Sequence, residues 1–371
     1  METTTFSSEI LTAQEIGLRD ILQNKVNQTL ERKTKDIGTV IEKIQSDNAL
    51  LNDFVVPTGQ LKFSNEGKIN VSFQGRNFDI SEFSVGQMAD KYMIPRSYLK
   101  DLAAGGAWQK NLASEILNKT SEFGNRDRVL IREVNGKVRA FLSDSYKRFD
   151  SMQLYVSFLK AISEQGALLL DAFSDESKDY FEVIHPQIVP VRTELNGTVF
   201  MSFGARLRHS DYGDGALEMR TFNMQAVCLN GMVTESKLRE VHLGKKLPDD
   251  IALSAETVRL DSMAKASLIS DTVKNVFSPE NLKNDIARIQ RAGSIRIDFE
   301  KEIKKLPKMG MLENEIKNLT GKLMLNNEND GIKGEASLWK LAQAIGAVAK
   351  DVKPDRTREL NELAGQVMLL N

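Results

Sequence analysis

Three stretches of the chain concentrate guanidinium and ammonium groups beside aromatic rings, a combination suited to phosphates and unstacked bases. The first, Arg126–Arg148, reads RDRVLIREVNGKVRAFLSDSYKR and holds seven basic against three acidic residues. Arg132, Lys137 and Arg139 cluster near one turn, and Tyr146, Lys147, Arg148 and Phe149 follow at once. The second stretch flanks DYGDG at 211–215. Symmetric pairing about that turn sets Arg208 opposite Glu218 and Arg206 opposite Arg220. Two opposed guanidiniums are destabilising without an anion between them, and positions two apart on a strand share a face. Arg206, Arg208 and Arg220 therefore form a candidate phosphate site, with Tyr212 in the turn. The third stretch, KLREVHLGKK at 237–246, carries Lys237 and Arg239; counting His242 it has five basic residues against one Glu. These ten cations form the nucleic-acid-binding set, and Tyr146, Phe149 and Tyr212 are the candidate base-stacking rings.

Other chemistries lack their residues. Gly136, Gly244 and Gly321 each precede a Lys, but Val, Lys and Leu follow where a phosphate-binding loop needs Ser or Thr. No G-x-S-x-G nucleophile elbow occurs. Three histidines (185, 209, 242) and one cysteine match no zinc spacing. Asp211, Asp214 and Glu218 offer a weak metal-dependent nuclease reading; the two aspartates read better as turn formers. Pro248-Asp249-Asp250 faintly resembles a nuclease motif without its E-x-K. Cys228, inside an expected apolar strand, reads as a buried inert thiol. No catalytic residue, metal or cofactor is expected.

Composition bounds the rest. Fifty Lys and Arg against fifty-one Asp and Glu give a net charge of −1, so the basic stretches must be compensated elsewhere. One cysteine excludes an internal disulfide and fits a reducing cytoplasm. The longest uncharged run, Thr221 to Thr234, is short of the roughly 20 residues a membrane span needs.

The elements that must position these residues follow from periodicity. Apolar residues from Ile10 to Ile44 recur every three or four positions and read as a helical hairpin, with an oligomerisation arm as the alternative. LKFSNEGKINVSFQG alternates about Glu-Gly and reads as a β-hairpin, followed by a helical pair broken at Pro95. Asn135-Gly136 between β-branched runs predicts a type I′ hairpin. A helix opens at Asp150 or Ser151 and stops at Gly166, and meandering strands then run to about residue 230. Beyond 250 the chain returns to helix, with Ser278 as an N-cap before Pro279. The expected class is α+β: an antiparallel β-meander core with helices, flanked by N-terminal and C-terminal helical regions. The expected units are 1–56 (helical), 57–248 (core with a basic sheet) and 249–371 (helical).

RVLIREVNGKVRAFLSDSYKRFD resembles a motif of domain-of-unknown-function family 932, a phage- and plasmid-associated family. MSFGARLRHSDYGDGALEMRTFNMQAVCLNGMV is similar to a later segment of that family, and SLWKLAQAIGAVAK to its C-terminal helix. The matches span about Phe83 to Ala349. Ser145 departs from the family's usual Arg, and His209-Ser210 from its Asn-Ser. The resemblance implies a mobile-element origin and carries no activity. A looser likeness of layout is to annealing proteins of the RecT/Redβ/Erf type, which ring single-stranded DNA.

The leading expectation is a non-enzymatic, homo-oligomeric single-stranded DNA-binding protein, an ATP-independent annealing or recombination mediator of a phage or mobile element. The alternative is a protein-interaction module that inhibits a host defence or replication protein.

Overall fold

The computed structural model describes residues 11–124, 128–146, 151–240 and 254–370. A capping box between Thr12 and Glu15 starts α1 (Ala13–Ala49). The expected hairpin is one helix of 37 residues. Leu22, Val26, Leu30, Ile37 and Ile44 form a continuous buried stripe along it. Gly38 in its middle is a weak helix former rather than a stop, costing about 1 kcal/mol against Ala.

Two sheets follow. The first contains β1 (Leu51–Pro57), β2 (Lys62–Asn65), β3 (Ile69–Phe73), β4 (Arg76–Ile80), β5 (Arg128–Val134) and β6 (Lys137–Ser143), in the order β1-β5-β6-β4-β3-β2. All neighbours are antiparallel except the short β4–β6 contact. The expected region boundary at residue 56 falls inside β1, which pairs with β5 along its whole length. Asn135 and Gly136 both have positive φ, 51° and 80°, as a type I′ turn demands.

One face of this sheet is covered by α2 (Glu82–Lys91), α3 (Arg96–Ala104) and α4 (Ala107–Phe123). Val71, Phe78, Met88, Leu99, Leu117, Ile131 and Phe141 share that core. Three helices stand where the sequence pattern predicts two, because Gly105-Gly106 divides the second. Strand β2, one end of the sheet, is closed by a side chain. Asn118 on α4 accepts from the Phe63 N–H and donates to the Phe63 carbonyl, each at 2.8 Å.

Helix α5 (Ser151–Glu164) leads to the second sheet, built from β7 (Leu168–Ser174), β8 (Asp179–Ile184), β9 (Val189–Thr193), β10 (Gly197–His209), β11 (Leu217–Gln225) and β12 (Asn230–Glu240). Its order is β12-β11-β10-β8-β7, with β9 also on β10. Strand β12 extends the meander past its expected end near residue 230. Cys228 sits in the β11–β12 turn, where burial pushes its thiol up to about 11.

Among the described residues six α-helices follow: α6 (Ala255–Val276), α7 (Pro279–Ala292), α8 (Phe299–Ile303), α9 (Glu313–Leu325), α10 (Leu338–Ala349) and α11 (Pro354–Met368). Leu154 and Phe158 of α5 meet Ile269 and Val273 of α6 over Phe181, Leu207 and Met219 of the sheet. Every residue of α10 is buried, within a core shared with Met201, Phe203 and Met232. The C-terminal helices are thus part of the second sheet's core. The molecule is α+β, and among the described residues no helix is long and apolar enough to cross a membrane.

Candidate functional site

The inferred register around DYGDG is correct: Arg206 lies opposite Arg220 and Arg208 opposite Glu218. The anion that this arrangement requires belongs to the protein itself. Glu362, on α11, reaches Arg220 at 3.0 Å and Arg206 at 3.5 Å. Glu182, opposite Arg206 on β8, takes two more of its donors at 2.6 and 2.8 Å. Arg206 is 2% exposed, so the expected phosphate contact is corrected to an internal ion pair. Arg220 also lies 3.1 Å from Glu218. Arg208 is partly exposed, donates to the Asp214 carbonyl at 2.9 Å and lies 3.9 Å from its carboxylate.

The basic hairpin β5–β6 is spent in the same way, as a set of struts between the two sheets. Arg132 is buried; its Nε donates to Asp53 of β1 at 2.8 Å, and Nη1 to the Asp211 carbonyl at 2.5 Å. Arg139 is buried too and donates to Asp47 of α1 and to the Asp175 carbonyl at 2.6 Å, and to the Glu176 carbonyl at 3.0 Å. Its guanidinium lies 4.3 Å from the Tyr212 ring centre, so Tyr212 is a buried platform for a protein side chain, not for a base. Lys137 binds Glu176. Tyr146 is half-buried and donates to the Ser210 carbonyl at 3.3 Å. These expected contacts to phosphates and bases are therefore corrected for Arg132, Arg139 and Tyr212. A guanidinium left unpaired inside the protein would cost several kcal/mol, which is why each is met by carboxylates or carbonyls.

Of the third basic stretch, Lys237 pairs with Glu235 at 3.0 Å, whereas Arg239 is exposed on β12, opposite Glu218. Lys147, Arg148, Phe149 and His242 lie outside the described residues, as does Pro248-Asp249-Asp250.

At the junction of the sheets the structure gathers residues that the sequence did not connect. Ser151 at the start of α5, His209 at the end of β10 and Asp211 just beyond it are all buried. His209 Nε2 is 2.9 Å from Ser151 Oγ and 3.3 Å from Asp211 Oδ1, and the Ser151 hydroxyl donates to Asp211. A nucleophilic serine needs its acid on the other imidazole nitrogen and an open approach. Here serine and acid share one nitrogen and the hydroxyl is turned onto the carboxylate, so the trio holds the junction together. Burial alone would raise the Asp211 pKa; the hydrogen bond from His209, the His209 and Arg132 charges and the Ser151 hydroxyl outweigh it and hold the carboxyl below its usual range.

Asp214 is engaged separately, by Ser177 at 2.8 Å and Lys178 at 3.2 Å. Among the described residues, no three His, Cys, Asp or Glu side chains are grouped to hold a metal ion. No family model, curated protein or solved structure matches the chain.

The described surface also carries a groove of ≈ 670 Å³ between α5 and α6. Met152, Val156, Met263 and Ala266 line it together with Gln153, Ser157, Ser267 and Ser270 and the charged Lys160, Glu164 and Lys274. Val156 is 58% and Met263 47% exposed. Neither residue is marked by type or spacing alone, since both sit on helical faces that read equally well as core.

Proposed function

We propose that the protein is a non-enzymatic interaction module that acts through protein contacts. The observation that carries this reading is the use of the basic residues: Arg132, Arg139, Arg206 and Arg220 are each held by the protein's own carboxylates. A surface open to a partner is the α5–α6 groove, which leaves Val156 and Met263 exposed to solvent. A groove that sets apolar side chains among polar and charged ones can seat a partner's amphipathic helix. For a phage or plasmid protein, as the family resemblance implies, the partner would be a host defence or replication factor.

The test has two arms. Labelled single- and double-stranded oligonucleotides titrated at low and moderate salt should show no binding; tight binding with a steep salt slope overturns the reading. Affinity capture from the host should yield a protein that V156K/M263K no longer retains, while both forms unfold at the same temperature.

Single-stranded DNA binding is the second reading, and one observation favours it. Arg239 projects from the edge strand β12 and is exposed. It belongs to the basic stretch at 237–246, which continues beyond the described residues. On this reading Arg239→Ala weakens oligonucleotide binding and leaves stability unchanged.

A further inference from the structure

We propose that two copies of this chain join through β1, which pairs edge to edge with β1 of the second copy in antiparallel register. The outer edge of a sheet offers unpaired N–H and C=O groups, and folded proteins cover or blunt such edges. This protein does so at other edges. Asn118 plugs β2 by binding both backbone groups of Phe63. Helix α1 runs along β7, with Lys33 bound to Asp171 and Lys43 to Ser174. Strand β1 pairs with β5 on one side, and among the described residues no strand pairs with it on the other.

The direction of its backbone groups follows from two independent features. Proline has no N–H and is tolerated in a strand where that position faces away from the ladder. Pro57 therefore marks the outward set, and Val55 and Leu51, two and six residues earlier, belong to it. The type I′ turn gives the same answer: Val134 pairs with Lys137 next to the turn, so Val134 bonds β6 and its neighbour Glu133 bonds β1. Asn52, Phe54 and Val56, opposite Glu133, Ile131 and Val129, then bond β5. Leu51 and Val55 point their amides outward.

A two-fold axis at Val55 makes this edge self-complementary. Val55 faces its own copy, Phe54 faces Val56 of the second chain, and Asp53 faces Pro57, so the two Asp53 carboxylates are kept apart. Val55 is 37% exposed and Leu50 46% exposed, and pairing would cover the first. A single strand pair is a small interface, so the dimer should be weak and concentration-dependent.

Sedimentation equilibrium of the full chain over a wide concentration range tests this. The wild type should shift from monomer to dimer. Val55→Lys and Val55→Pro should remain monomeric throughout with unchanged circular dichroism, since proline at an outward position removes the donor without touching the β1–β5 ladder. Under mild oxidation Val55→Cys should give a disulfide-linked dimer, and Leu50→Cys should not. A wild type that stays monomeric at the highest concentration overturns the proposal. So does a dimer that both Val55 variants leave intact, which would place the contact elsewhere.

Discussion

Arg206 and Arg220 face each other across β10 and β11, and the carboxylate of Glu362 lies within 3.5 Å of both. Two guanidiniums opposed on a sheet repel, so the α11 carboxylate removes a repulsion and fixes a helix at once. The bond that Arg206 donates to Glu182 adds a second carboxylate on the same face. Arg358, four residues before Glu362, stacks over Phe173 at 4.1 Å and Tyr180 at 4.9 Å, so α11 is held to the sheet by charge and by cation–π contact.

Glu362→Gln should therefore destabilise the fold by about 1–2 kcal/mol, because it removes the charge but leaves the side chain's shape. Removing Arg220 as well, in E362Q/R220L, should recover part of the loss, since the repulsion then has one member. Urea midpoints of the two single variants and the double variant supply the cycle. If E362Q unfolds at the wild-type midpoint, the pairing has no energetic role.

This pairing marks the limit of what the sequence could tell. The hairpin register, the need for an anion between Arg206 and Arg220, and the type I′ turn at Asn135-Gly136 were all legible, because each depends on residues within about fifteen positions. The identity of the anion was not, because Glu362 lies 142 residues beyond Arg220 and no local rule links them. Asp53 and Asp47, which neutralise Arg132 and Arg139, sit in stretches read as helix, and the charge counts along 126–148 could not include them. The near-zero net charge was the one global sign that the basic residues were matched within the chain.

Asp211→Asn should cost about 3 kcal/mol near neutral pH, because it strips the buried Arg132 of one of its carboxylates and breaks the contact with His209 and Ser151. The folded state holds this carboxyl below its ordinary value of 3.8. Its contribution is therefore fully present above that pH and is lost as the pH falls below it toward the folded value. The stability gap between wild type and variant should narrow in acid and stay constant from pH 6 to 8. A gap independent of pH would show that Asp211 acts by packing alone.

Asp285 carries the opposite sign. Burial, helped by Glu235 and opposed by Arg288 and Lys237, pushes its carboxyl up from 3.8 to about 6. A group raised in the folded state supports folding below its unfolded value, and that support is lost as the pH rises through about 6. Asp285→Asn should accordingly stabilise the protein at pH 8, by on the order of 2 kcal/mol, despite removing the 2.9 Å ion pair with Arg288. At pH 4 the two forms should melt together. A variant less stable than wild type at pH 8 would mean that the ion pair outweighs burial.

Asn118 guards the edge at β2 by mimicking a neighbouring strand, accepting from the Phe63 N–H and donating to the Phe63 carbonyl. Asn118→Ala removes both bonds and leaves Phe63 with unpaired backbone groups at the sheet edge. The loss should be about 1–3 kcal/mol, and the exposed edge should add a second effect that stability alone does not predict. An opened strand of sequence KFSN is a template for pairing with other chains. The variant should therefore form larger aggregates on incubation below its melting temperature, seen by light scattering. Asn118→Leu, equally unable to pair the backbone but closer to the original volume, should aggregate as fast, whereas a variant lowered in stability by a similar amount elsewhere, such as E362Q, should not. Equal aggregation of E362Q and N118A would assign the effect to lost stability and remove the guarding role from Asn118.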